Sequence, residues 1–286
     1  MNLSTFVASA CASLGELYPG EEVRSIVVSL YSSRLGLPSY QHVTEPSTEI
    51  DGASQRQLDA DLERLIAGEP LQYVLGYCEF YSRRFKVNSS VLIPRPETEQ
   101  LVQIALESCP AGGRVLDLCT GSGCIAWSIF YNNKGSEVTG VDISAAALEL
   151  ARSQFEGPSP DFVCADILRP LPLEGGFDYL VSNPPYILPS EKPLIHRNVL
   201  DYEPSLALFV PEDDSLVFYR AVCARARELH IPAGVVEINP LLSERTAALF
   251  REAGYSRTDI IPDLSARPRF VRFSQEYMPD THCRHA

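Results

Sequence analysis

VLDLCTGSGCIA, residues 115–126, is the stretch on which the fold turns. An apolar strand carrying one carboxylate, Asp117, runs into Gly121 and Gly123, which permit a tight turn and close approach of a ligand to the backbone. CIAWSIFYNN then continues as an apolar helix. Downstream the alternation repeats. EVTGVDI reads as a strand followed by the helix SAAALELARSQF, and short strands follow at DFVCAD and FDYLVSN. DSLVFYRAVCARARELH is a helix, GVVEI a strand and LLSERTAALFREAG a helix, and TDIIPD and RFVRFSQ close the pattern as strands. This predicts an α/β fold with a doubly wound, mainly parallel, seven-stranded sheet, whose ligands sit at the carboxyl ends of the strands.

Upstream the periodicity changes. FVASACASL, VRSIVVSLYSSRLG and SQRQLDADLERLIAG place apolar residues three and four apart, so residues 1–70 are expected to form a helical domain of about four helices. Residues 71–95 turn to β character, with CEFYSRRFKV and VLI separated by Asn-Ser-Ser, and predict a hairpin linker. PRPETEQLVQIALESC opens the third part, residues 96–286, as a helix with Pro96 in its first position and Glu97 and Glu99 in its first turn.

The net charge is −13, and only Lys86, Lys134 and Lys192 are lysines. Such a balance argues against a protein that holds long nucleic acids, whose affinity comes largely from neutralised phosphates. Arg267, Arg269 and Arg272 form the nearest thing to a basic run. Eight scattered cysteines without CxxC pairs read as reduced packing thiols, and Cys119 with Cys124 alone makes a poor metal site, so no metal is expected. No apolar stretch is long enough to span a membrane, and the N-terminus lacks the basic residues of a signal peptide. A cytoplasmic protein is expected.

The candidate site residues lie at predicted strand ends. G-S-G-C-I-A satisfies a dinucleotide pattern, and Asp142 falls nineteen residues after Gly123. At the end of the second strand, Asp142 can accept both ribose hydroxyls of a nucleoside, whether in NAD or in S-adenosylmethionine. Ser144 already fits the cap of the next helix. Asp117, four residues before Gly121, favours a ligand with a cationic amine, such as the methionine part of S-adenosylmethionine. Asp166 ends the third strand, where it can accept from an adenine amino group. VSNPPYI, residues 181–187, follows the fourth strand. There the side-chain carbonyl of Asn183 and the backbone carbonyl of Pro184, held rigid by Pro185, offer two acceptors for the two N–H bonds of a planar NH₂ group. Tyr186 can pack its ring on the face of that group. His196 is the nearest possible base, across a long loop.

GEPLQYVLGYCEFYSRRFKVNSSVLIPRPETE (68–99), VLDLCTGSGCIA, VDIS and VSNPPYI together resemble the peptide chain release factor glutamine N5-methyltransferases. NPPY alone is shared with adenine-N6 DNA methyltransferases; PRPETE upstream of the glycine loop is far more specific. The resemblance implies transfer of a methyl group from S-adenosylmethionine to the glutamine of the Gly-Gly-Gln loop of release factors. By matching position, Thr120, Gly121, Ser122, Gly123, Cys124 and Asp142 would contact the cofactor, and Asn183, Pro184, Pro185 and Tyr186 would hold the glutamine amide. The helices of residues 1–70 are expected to dock the protein substrate, with no stable nucleic-acid binding. The chain departs from the pattern in three places. Ile167 and Leu168 stand where relatives often place an aromatic against adenine. GVVEINP stands where an E-I-G sequence is usual, so Glu237 keeps its place and the following turn differs, and ARPRF departs from the usual glycine-containing segment.

Overall fold

The computed structural model describes residues 1–275, so the last part of the expected 96–286 domain, 276–286, lies outside the described residues. Two compact units are present: residues 1–77 together with 196–202, and residues 78–195 together with the chain from Glu203 onward.

The first unit is helical. It contains α1 (Leu3–Leu14), α2 (Gly20–Leu35), the single turn α3 (Gln41–Thr44), α4 (Gly52–Ile66) and α5 (Leu71–Leu75). Asn2 caps α1 by accepting from the Thr5 amide, and Asp51 caps α4 through the amides of Ala53 and Ser54, supplying acceptors that the first turn of a helix lacks. Phe6, Tyr31 and Leu58 sit in its apolar core. The segment from residue 71 was expected to begin the hairpin; instead it is helical. Val74 is buried and Leu71 packs against that core, and Gly76, at φ +83°, ends the turn. The segment 196–202, expected within the third part, also belongs here and carries the short helix Arg197–Tyr202, α9 in chain order. Tyr202 donates its hydroxyl to the Ala67 carbonyl, and His196 stacks on Tyr18 with ring centroids 5.6 Å apart.

A hairpin of β1 (Tyr77–Phe80) and β2 (Arg83–Lys86) turns on Tyr81 and Ser82, both at positive φ. Val91–Ile93 is not part of a strand among the described residues. After α6 (Pro96–Ser108) come β3 (Arg114–Leu118), α7 (Cys124–Asn132), β4 (Glu137–Asp142), α8 (Ala145–Arg152), β5 (Asp161–Cys164) and β6 (Tyr179–Ser182). The chain continues through α10 (Val217–Glu228), β7 (Ala233–Glu237), α11 (Ser243–Glu252), β8 (Arg257–Pro262) and β9 (Pro268–Ser274). The sheet has seven strands in the order β5-β4-β3-β6-β7-β9-β8, parallel except where β9 runs antiparallel to β7 and β8. Both faces are covered. Leu116, Leu180, Val222 and Phe250 share one core, and Val115, Tyr179, Trp127 and Leu101 share the other.

The strand order reverses between β3 and β6, which opens a crevice at their carboxyl ends. Two of the sequence departures find local solutions. After Glu237 the turn is built by Asn239, whose side chain accepts from the Leu241 amide at 2.9 Å and donates to the Tyr186 carbonyl at 3.1 Å. In ARPRF, Ala266 adopts φ +60°, a conformation costing a side-chain-bearing residue about 1–2 kcal/mol, where glycine would sit without strain.

Candidate active site

The glycine loop leaves β3 through three consecutive alternate residues at positive φ: Cys119 (+61°), Gly121 (+54°) and Gly123 (+78°). Its path is closed by hydrogen bonds from the Thr120 amide to the Val141 carbonyl (3.0 Å) and from the Gly123 amide to the Thr120 carbonyl (2.8 Å). Gly140 makes room for it: a Cβ there would lie 2.8 Å from Thr120 Oγ1 and from the Phe162 ring. Gln154 fastens the loop to the hairpin, donating to the carbonyls of Ser122 and Lys86 at 3.0 Å each.

Asp117 is wholly buried behind this loop. Its Oδ2 accepts from the Thr120 hydroxyl at 2.5 Å, whereas Oδ1 has no hydrogen-bond partner among the described residues. Asp142 is held by backbone amides on both oxygens, Gly121 to Oδ2 and Ser144 to Oδ1, each at 2.9 Å. Ser144 caps α8 as expected, accepting from the Ala147 amide. Each carboxylate oxygen of Asp142 keeps a second lone pair for a ligand.

These groups border a cavity of about 230 Å³. Thr120, Gly121, Ser122, Cys124, Asp142, Asp166, Ile167, Asn183 and Pro185 are in its wall. Of the remaining candidates, Asp117, Gly123, Pro184 and Tyr186 are not in its lining. Asp166 spends Oδ1 on the Leu168 amide at 2.9 Å, which turns the chain so that Ile167 is buried and Leu168 stands about half exposed, both facing the cavity.

The elbow after β6 is anchored from below. Asn183 Nδ2 donates to Thr98 Oγ1 at 3.2 Å, and the Thr98 hydroxyl donates to Glu237 Oε2 at 2.9 Å. The Tyr186 hydroxyl donates to the other oxygen, Oε1, at 3.0 Å. Among the described residues nothing donates to Asn183 Oδ1, and Asn183 lines the cavity. The sequence reading gave Tyr186 a packing face only; its hydroxyl, tied to a buried carboxylate, is part of the framework. Sequence reasoning missed Thr98 as a site residue. It appeared only as the middle of PRPETE, and its partner lies 139 residues away. It also missed Arg95, which borders the cavity and is fixed by Glu203 at 2.6 Å, while Glu203 also accepts from the Ile93 amide. His196 belongs to the helical unit, and its Nδ1 pairs with Asn198.

No group of three or more potential metal ligands comes together among the described residues. The basic run near the C-terminus is largely neutralised: Arg269 pairs with Asp263 at 3.2 Å and Arg272 with Asp259 at 3.0 Å. Among the described residues no helix is long and apolar enough to cross a membrane.

Burial pushes the Asp117 carboxyl up to about 7, with the Thr120 hydroxyl and the Ala126 amide pulling back. Burial does the same to Glu237, also up to about 7, against the hydroxyls of Thr98 and Tyr186 and the charge of Arg269. Asp142 is raised for the same reason. The folded chain therefore holds protons that the unfolded chain releases, so the stability these groups give is full below about pH 4 and is lost as pH rises through about 7. The loss is on the order of 3 kcal/mol for each of Asp117 and Glu237. Urea unfolding of the ligand-free protein between about pH 5 and pH 7.5 checks this. The stability gap between wild type and Asp117→Asn/Glu237→Gln should shift in the variant's favour as pH rises. A gap constant across that window would contradict the assignment.

Comparison with known proteins agrees with this architecture. Residues 96–200 match the family model of the methyltransferase small domain, and residues 7–76 that of the PrmC N-terminal domain. A release factor glutamine methyltransferase of Bacteroides thetaiotaomicron is 37% identical over 264 residues, covering 91% of this chain and 95% of that protein. Another, from Flavobacterium psychrophilum, is 34% identical over 269 residues, covering 91% and 94%. Among solved structures, the hMettl16 catalytic domain in complex with MAT2A 3'UTR hairpin 6 is similar at a TM-score of 0.51 and 13% identity, over 77% of this chain and 82% of that one, a likeness of fold alone. At more than a third identity over nine-tenths of its length, the chain belongs to the release factor glutamine methyltransferase family.

Proposed function

We propose that this chain transfers a methyl group from S-adenosylmethionine to the side-chain amide nitrogen of the glutamine in the Gly-Gly-Gln loop of peptide chain release factors. The observation that carries the reading is Asn183, whose NH₂ is tied back to Thr98 so that Oδ1 remains as an acceptor at the cavity. Pro184 is buried and outside the cavity lining; in this reading its rigid backbone carbonyl is the second acceptor, so that it and Asn183 take the two N–H bonds of a planar amide. That grip holds the nitrogen lone pair toward the methyl donor and opposes its delocalisation. Positioning of this kind is worth several kcal/mol of a barrier. No base is needed before transfer, since the proton leaves during or after it.

The residues fit the cofactor. Asp117 is not in the cavity lining; its Oδ1, without a hydrogen-bond partner among the described residues, suits an ammonium that reaches the glycine loop, whose charge would also favour the ionised carboxylate. Asp142 receives ribose hydroxyls, and Asp166 with Ile167 and Leu168 borders the base; Thr120 to Cys124 provide the loop that closes over the ligand. When bound, the cofactor supplies a methyl on a positively charged sulfur. A release factor substrate places the enzyme in the cytoplasm, and residues 1–70 serve to dock that protein substrate.

An adenine-N6 methyltransferase would use the same NH₂ grip. The acidic charge and the paired arginines near the C-terminus speak for the protein substrate. Incubation with labelled S-adenosylmethionine, release factor and DNA separates the two: label is expected in release factor, and label in DNA alone would overturn the reading. Asn183→Ala should lower turnover by more than about tenfold with little change in cofactor affinity, because one N–H is left unpaired at ~1–3 kcal/mol. Asn183→Asp should retain more activity, since a carboxylate oxygen accepts the same bond. Near-normal turnover by Asn183→Ala would end the grip mechanism. Deleting residues 1–70 should abolish methylation of intact release factor and spare cofactor binding by the remainder; full activity of the truncated enzyme would refute the docking role.

A further inference from the structure

An Asn side chain presents an acceptor in one orientation and a donor in the other, and the two have nearly the same shape. The grip proposed above works only one way round. With NH₂ toward the cavity, Asn183 would meet the substrate amide donor to donor. Something must therefore fix its orientation, and the elbow's own backbone does not.

The hydrogen-bond chain beneath it does. Thr98 has one hydroxyl proton. While Glu237 is a carboxylate it can only accept, so Thr98 donates to its Oε2. The Thr98 oxygen can then only accept, and Asn183 must turn its NH₂ toward it. The direction of two bonds follows from the charge state of a residue that touches neither substrate nor cofactor. We propose that Glu237 is the positioning residue that sets which way round the Asn183 amide sits, acting through the Thr98 hydroxyl. The inference rests on the reading of Asn183 as the amide acceptor.

The converse follows from the same valences. A proton on Oε2 of Glu237 would be donated to Thr98, whose own proton would pass to Asn183 Oδ1, and the amide would reverse. The groups that face Glu237 are Thr98 and Glu97 from α6, Tyr186 from the elbow, Arg269 from β9 and Tyr219 from α10. Arg269 is the only cation among them, and it is shared with Asp263. Tyr186 donates to Oε1 and does not compete for the Thr98 bond. The chain is thus reversed by one proton at one oxygen. Glu237→Gln makes the reversal permanent if its NH₂ faces Thr98, because Tyr186 already holds the oxygen side.

The test joins a spectroscopic readout to a mutant cycle. In the ¹⁵N-labelled wild-type enzyme, the Asn183 side-chain NH₂ resonances should move in a single step as pH falls through about 7, the range to which burial raises Glu237. In Glu237→Gln the step should vanish. Resonances that stay fixed across that range in the wild type would overturn the proposal, whatever the variant does. In turnover, Glu237→Gln should lower kcat by more than about tenfold while KM for the cofactor changes by less than about twofold. In an Asn183→Asp background, whose side chain accepts from either oxygen, the same change should cost less than about twofold. An equal loss in both backgrounds would mark Glu237 as merely structural. Should the release factor take up no methyl while the Asn183 resonances still titrate, the substrate assignment falls and the relay stands.

Discussion

One carboxylate at the end of β7 governs the geometry of the site. Glu237 is buried to 1% exposure and satisfies two hydroxyls from different segments, Thr98 at the start of α6 and Tyr186 beyond β6. Burying such a group is costly unless it is fully hydrogen-bonded, so the three segments are held to one arrangement or the carboxylate is left exposed to its own desolvation. The elbow Asn183-Pro184-Pro185-Tyr186 is rigid in itself. Its placement against the crevice comes from this shared partner.

The glycine-loop side of the site is acidic, and its one ion pair among the described residues is the long Asp166–Arg169 contact. Asp117 lies in β3, Asp142 ends β4 and accepts from Gly121 of the glycine loop, and Asp166 follows β5. Their hydrogen bonds come from hydroxyls and backbone amides; Arg169 approaches Asp166 only at 3.7 Å. A site of this kind favours a cationic ligand, because the ligand supplies the charge that burial withholds.

Much of this was legible in the sequence, for identifiable reasons. Period-two and period-3.6 patterns carry the sheet and its helices, and all seven strands of the large sheet lie where alternation places them. Local chemistry carries Pro96 at the first position of α6, Ser144 as a cap and the two glycines of the loop. What escaped were features made by distance in the chain. Thr98 and Glu237 are neighbours only because α6 packs beside β7, and Arg95 meets Glu203 across a comparable gap. Leu71–Leu75 carried too short a pattern to separate a helical turn from a strand, and the helical core decided it. The segment 196–202 gave no sign of joining the helical unit, because Tyr18 and Ala67, which it contacts, lie far upstream.

The most direct measurement of the central claim is tandem mass spectrometry of a release factor incubated with the enzyme and S-adenosylmethionine. The expected result is the added mass of one methyl group, located on the side-chain nitrogen of the glutamine in the Gly-Gly-Gln sequence and absent from the incubation without enzyme. A methyl found on another residue, or an unmodified glutamine after incubation with active, cofactor-binding enzyme, would contradict it.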